Sequence, residues 1–344
     1  MRIFVITLVV LCIGVFGGCS QKKYFEPKDV RLQAEFPHKL PAPIVHTSRA
    51  GALLKNYEVL DISGNIEIEL AKNQRFLGRE DALYLVQEGC GALLLIDART
   101  KTQNELEFSK CIVSASIAPQ DSITADSATL SNLLALVSAD NSVIVYDVVT
   151  KREVFAQKLA NVTAINSLAA APVFSHGKII FPTLDGKIVI YDRASNALVR
   201  DVLIQSDKFF NNIIYLVVKN DIIIAATPKR ISTIVGNSKT FNYDGDFRDL
   251  LLHKDKIYVL SNDGRILELD NTLKLLREVK LEYARLHGIV IKDNALYTLE
   301  SHKYLIELNL ESFLPVIYKV SLPSKKPIFY TDESLFYDRF YKRF

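Results

Sequence analysis

The chain of 344 residues contains no tryptophan and a single methionine. Its aromatic side chains are therefore Phe and Tyr. It has four cysteines, none next to another, which excludes a vicinal disulfide and a dense disulfide scaffold. Charge of one sign is also missing: 42 Lys and Arg against 39 Asp and Glu leave +3, too little for a nucleic-acid footprint or a polyacidic partner surface. The histidines His38, His46, His176, His253, His287 and His302 are scattered, without metal-ligand spacing. No Gly-x-Ser-x-Gly elbow, phosphate-cradling glycine loop or paired-cysteine motif occurs. The sequence therefore offers no catalytic, metal or cofactor-binding set, and the expectation is a non-enzyme without a cofactor.

What is present favours strands. Apolar residues make up 49% of the chain, with 18 Phe and 15 Tyr, and aromatic and β-branched residues suit pleated, buried sheets. The first residues, MRIFVITLVVLCIGVFGGCS, place Arg2 before an apolar run from Ile3 to Phe16, then Gly17, Gly18 and Cys19. That is the layout of a bacterial secretion signal. The run is shorter than the roughly 18 apolar residues of a spanning helix, so a transmembrane anchor is the lesser reading. FGGC resembles the lipobox of bacterial lipoproteins, whereas Leu11 is too bulky for cleavage before Cys12. Residues 1–18 are thus expected to be a signal peptide and Cys19 the lipidation site, with acyl chains holding the protein at a membrane surface. Ser20 after that cysteine, by resemblance to enterobacterial lipoproteins, implies the outer membrane, on its periplasmic face. Residues 19–45, charged and proline-bearing, read as a tether, and residues 46–344 as the folded domain.

That domain repeats itself. IIFPTLDGKIVIYD (179–192) has gapless counterparts in LALVSADNSVIVYD (134–147), IYVLSNDGRILELD (257–270) and LYTLESHKYLIELN (296–309). LYLVQEGCGALLLID (83–97) carries one extra turn residue, and IIIAATPKRISTIV (222–235) is a decayed copy. Each unit is a strand, a turn such as Asp185-Gly186 or Asp140-Asn141 that tolerates positive φ, and a second strand. Asp147, Asp192 and Asp270 close three of the units, where they are expected to accept backbone N–H groups of the next turn. Another strand precedes and another follows each unit, so the repeat of about 43 residues is a four-stranded β-propeller blade.

PIFYTDESLFYDRF (327–340) aligns with PVFSHGKIIFPTLD (172–185) and predicts a blade begun by the C-terminus and completed from the N-terminal side by residues 57–70. Closure through both termini removes free sheet edges. The count is then seven blades, with eight as the alternative if PIVHTSRAGALLK (43–55) supplies strands. Phe336, Tyr337, Phe340, Tyr341 and Phe344 also fit helical spacing, so a short rim helix is an alternative for the tail. In the first full blade, a turn near residues 98–103 pairs residue 97 with about residue 104. This register sets Cys90 opposite Cys111 on neighbouring strands, a candidate disulfide in an oxidising compartment, with two free thiols as the alternative.

The stretch APVFSHGKIIFPTLDGKIVIYDRASNALV (171–199) resembles the quinoprotein-type propeller repeat, and joined to a lipobox it is similar to the BamB family of outer-membrane lipoproteins. The resemblance implies a scaffold docked on the machine that assembles outer-membrane β-barrels. Two rivals share the repeat: an envelope lipoprotein propeller binding peptidoglycan, a sugar or another protein, and a quinone-dependent dehydrogenase. The missing tryptophan and Cys-Cys pair weigh against the last.

Overall fold

The structure is a computed structural model that describes residues 23–119, 132–207, 209–236, 239–322 and 326–344. The signal peptide and Cys19 lie outside the described residues. Within them the chain forms strands and no helix, arranged as eight sheets. Blades 1 to 7 span residues 44–69, 74–107, 112–158, 173–203, 215–244, 247–280 and 286–320. Blade 8 takes three strands from residues 328–343 and its outer strand, His38–Lys39, from the N-terminal side. Blades 1 to 7 run outward in chain order as antiparallel meanders, as do the three C-terminal strands of blade 8, and the inner strands surround an axis. Turns between second and third strands share one face with the links from each blade to the next, hereafter the linker face. The remaining hairpin turns occupy the opposite face.

The propeller is thus closed by both termini, with eight blades, the alternative count. Residues 57–70 do not complete the last blade: with 44–54 they make a blade of their own. The tail supplies a third strand, Phe340–Arg343, instead of a helix, and Phe336 stacks on Tyr341 at 4.9 Å across that hairpin. The expected tether is also partly structural. Arg31–Ala34 adds a fifth, parallel strand to blade 7, while Phe25, Phe36 and Leu40 are buried. Apolar side chains at these positions gain more by covering blade edges than by staying in water.

The core is distributed. Buried clusters lie between successive blades, for example Ile224, Ile231, Ile257 and Leu267 between blades 5 and 6, and Leu40, Ile44, Phe329 and Phe336 across the closing joint of blades 8 and 1. A middle strand is covered on both sides, so it reads as a continuous apolar run: Leu133–Ser138 is buried throughout. Outer strands such as Ala197–Leu203 alternate.

The turn chemistry follows the sequence. Asn141, Gly186 and Gly264 sit at φ 61°, 91° and 83°, the left-handed region that Asn and Gly tolerate. The closing residues do accept the next turn's N–H groups: Asp147 Oδ1 from Val149 and Thr150 at 2.8 and 3.0 Å, Asp192 from Ser195 at 2.9 Å, and Asp270 from Thr272 at 2.8 Å. At Gly186 a Cβ would lie 2.1 Å from the Gln205 carbonyl oxygen, whereas at Gly64 it would meet nothing within 4 Å. Both have positive φ, so Gly64→Ala is expected to cost about 1 kcal/mol of conformational strain. Gly186→Ala adds a backbone clash and is expected to cost at least twice that in urea unfolding. Equal costs would show that the blade link yields freely.

Cys90 and Cys111 are joined, with Cα atoms 4.4 Å apart, though not as neighbours on one ladder. Thr102 faces Asp97, two residues from the expected register, because the turn closes tightly through the bond from Lys101 N–H to Asp97 O. Cys90 therefore lies in the turn between the second and third strands of blade 2, and Cys111 just before the inner strand of blade 3. The bridge staples the blade link across a separation of 21 residues. A loop of that size corresponds to about 3 kcal/mol. Reductant is expected to lower the unfolding free energy of the native protein by that order, and to leave the Cys90→Ser, Cys111→Ser double variant unaffected.

Candidate functional site

Inner strands carry irregularities that aim side chains at the axis. Arg49, in the first turn of blade 1, reaches across it. Its Nε donates to the Ile214 carbonyl at 2.9 Å, on blade 5, which stands opposite in an eight-membered ring. Its Nη2 lies 2.8 Å from Asp249 Oδ1 of blade 6, and its Nη1 donates to the Tyr330 hydroxyl of blade 8 at 2.8 Å. The Tyr330 hydroxyl in turn donates to Asp249 Oδ2. Burial alone would lower the Arg49 pKa, but Asp249 and Tyr330 outweigh it and hold the guanidinium charged. Burial, then Asp249, pushes the Tyr330 phenol up, so it stays a donor. The result is a cross-axis clamp in which a charge pair is desolvated, with Asp249 Oδ1 also accepting from the Leu250 N–H at 2.9 Å.

Beside the clamp, on the linker face of blades 6 to 8, opens a cavity of about 790 Å³. Its lining includes Lys23, Arg248, Arg285, Lys303 and Lys326, with His287, Ser301 and Tyr283, and among the described residues no carboxylate. Two bulges build its floor. The ladder of blade 6 slips between Phe247 and Asp249, which leaves Arg248 as the extra residue. That of blade 7 slips between His287 and Val290, where Gly288 adopts φ 73°. Bulges re-aim side chains in this way. Gly288 is also required by space, since a Cβ there would sit 2.8 Å from the Tyr330 ring.

The re-aimed groups form a directed chain. Arg248 Nη2 donates to His287 Nδ1 at 2.9 Å, His287 Nε2 donates to Ser301 Oγ at 2.9 Å, and Ser301 Oγ donates to the Arg285 carbonyl at 3.3 Å. This order needs a neutral imidazole. Burial, then Arg248, lowers the His287 pKa to about 4 against the opposing pull of Asp249. An unfolded histidine takes a proton near pH 6.5, so its contribution to stability is complete above that pH and is lost as pH falls toward 4. The shift corresponds to up to about 3 kcal/mol. Urea unfolding between pH 7 and pH 4 is expected to show a steeper loss for the native protein than for His287→Gln. Parallel curves would rule out this role.

The sequence expectations place differently. Cys19 is outside the described residues, and Cys90 and Cys111 lie in blades 2 and 3, away from the cavity. His287 and His302 reach it, whereas His176 is exposed on the hairpin face. Among the described residues no three His, Cys, Asp or Glu side chains group as metal ligands. Arg49, Asp249, Tyr330, Arg248 and Arg285 were not singled out by sequence. Gly288 at the end of an otherwise apolar inner strand was the available signal.

The chain matches no sequence-family model. Among solved structures it superposes on BamB from Moraxella catarrhalis with a TM-score of 0.66 and 15% identity, covering 89% of this chain and 98% of that one. The C-terminal WD40 domain of Sif2 gives 0.65 and 13%, covering 92% and 99%. At such identities the likeness carries the fold, a BamB-like propeller, and no role. Sequence similarity goes further: the chain is 34% identical over 385 residues to the plasminogen-binding protein PgbB of Helicobacter pylori strain J99, covering 98% of this chain and 70% of that protein. PgbB of strain 26695 matches over the same extent at the same identity. A match of that level across nearly the whole propeller makes this chain a member of the PgbB family.

Proposed function

We propose that the protein is a non-catalytic, lipid-anchored envelope propeller that binds other proteins, with plasminogen the first partner to test. The observation that carries this reading is the 34% identity to PgbB over 98% of the chain. A physical feature supports a protein-binding surface: Phe209 and Phe210, in the link between blades 4 and 5, are 47% and 53% exposed on the linker face. Phe210 holds φ 60°, a conformation that is costly for an aromatic residue and that recurs at functional sites. Adjacent exposed aromatics are the residue type that anchors interfaces.

The test is surface plasmon resonance with the purified full chain over immobilised plasminogen. Saturable binding, weakened at least about tenfold in the Phe209→Ala, Phe210→Ala double variant, is the expected result. No binding by the native protein would overturn the plasminogen reading. The second reading, an accessory factor in outer-membrane β-barrel assembly, is favoured by the BamB-like fold. Recovery of the barrel-assembly channel by crosslinking in the native envelope would support it. Lipid on Cys19 and loss of residues 1–18 are part of the proposal, checked by the mass of the mature N-terminus.

A further inference from the structure

The geometry points to a second site: we infer that the linker-face cavity around Arg248, Arg285 and Lys303 binds a small ligand bearing phosphate groups. The inference stands apart from the protein-binding reading, since it concerns blades 6 to 8 and a ligand of small-molecule size.

Charge is the first argument. The whole chain carries only +3, yet among the described residues five cationic side chains and no carboxylate line this one cavity. Asp263 and Glu282 line an adjoining pocket that shares Lys23, Tyr283 and Arg285, and the carboxylates packed against the floor are already engaged. Asp249 serves Arg49 and Tyr330, Glu300 accepts from His302 and from the Arg285 backbone, and Asp338 lies 3.8 Å from Lys326. Arg248, Arg285 and Lys303 form no ion pair among the described residues. Burial lowers the Arg248 pKa, with Asp249 opposing and Arg285 adding to the shift. Two guanidiniums held near each other repel, and a bound anion relieves that repulsion.

Positioning is the second argument. Arg248 is not a loose surface arginine: its ladder bulge, its bond to His287 and the onward bond to Ser301 fix the guanidinium toward the cavity. A neutral histidine can orient an arginine without cancelling its charge, as a carboxylate would. The free edges of such a guanidinium fit the forked geometry of phosphate oxygens. Size is the third. About 790 Å³ exceeds what a single inorganic ion fills and falls in the range of small-molecule sites. Tyr24 and Tyr283 in the wall, both exposed, offer faces for a sugar or similar ring between the cations.

The test titrates the purified full chain with inorganic pyrophosphate by calorimetry at low salt, and in parallel measures co-sedimentation with phosphatidylcholine vesicles with and without phosphatidylglycerol. Binding in either arm is expected, and it should weaken at least about tenfold in the Arg248→Gln, Arg285→Gln double variant. Pyrophosphate binding alone identifies a soluble phosphorylated ligand, and binding only to the anionic vesicles identifies a lipid headgroup; both support the site. The double variant should unfold at the same urea concentration as the native protein or a higher one, because it removes like charges, so a loss of binding cannot be ascribed to misfolding. Absence of binding in both arms, or equal binding by the double variant, overturns the inference.

Discussion

Asp249→Ala is expected to destabilise the protein by about 3–5 kcal/mol, because it leaves the Arg49 guanidinium desolvated with no charge partner. The side chain of Asp249 is only 5% exposed and that of Arg49 is 19% exposed, so water cannot simply replace the carboxylate. Urea unfolding of the purified protein measures the loss. The informative control is a double replacement, Arg49→Met with Asp249→Leu. Removing both charges abolishes the desolvation cost together with the attraction, so the double variant should lose less than Asp249→Ala. A single variant that loses under 1 kcal/mol would mean that the clamp is solvated and does not hold the axis. Tyr330→Phe removes one donor to Asp249 and one acceptor for Arg49, and belongs between these extremes.

Ending the chain at residue 326 should have the larger effect still. It deletes all three C-terminal strands of blade 8, uncovers apolar clusters on blades 7 and 1, and takes Tyr330 from the clamp. The outer strand His38–Lys39 loses its only ladder partner, Phe340–Tyr341. Open sheet edges next to exposed apolar surface promote association. The truncated chain is therefore expected to elute as aggregates in size-exclusion chromatography and to unfold without a cooperative transition. A monomer with a sharp urea transition would show that seven blades are self-sufficient.

The ease of reading differs between the blades and the site for a physical reason. Second and third strands are buried on both sides and joined by turns at positive φ, so each writes a local signal: an apolar run, Asp-Gly or Asp-Asn, an apolar run, an Asp. Blade 1 lacks that signal. Its inner strand Ile44–Thr47 buries one residue fully, and its middle turn uses Tyr57 at φ 69° where blades 2, 3, 4 and 6 place Gly89, Asn141, Gly186 and Gly264, which is why a count by repeats stops at seven. The disulfide register slipped because Thr102 and Gln103, which belong to the outer strand, were counted as turn. The clamp and the cavity left no local pattern. Arg49 meets partners 165 and 281 residues away, and Arg248 and His287 reach the cavity through bulges that shift pairing without changing the apolar content of their strands.

The stitching of blades 7 and 8 by N-terminal strands also sets a temporal order. Gln33 and Ala34 pair with Lys319 and Val320, and His38 with Tyr341, so strands synthesised among the first must wait for the last. Contacts this distant in sequence form slowly, because the intervening chain has to be organised before they can add stability. Blades 1 to 6 contain no such dependence, as every strand in them pairs within its own meander. They can assemble as each segment becomes available, while the early strands and the blade 1 edge stay unsatisfied until residues 328–343 are available. The vulnerable species is therefore a nearly complete, open ring, and it is during this interval that a chaperone would have the most surface to protect.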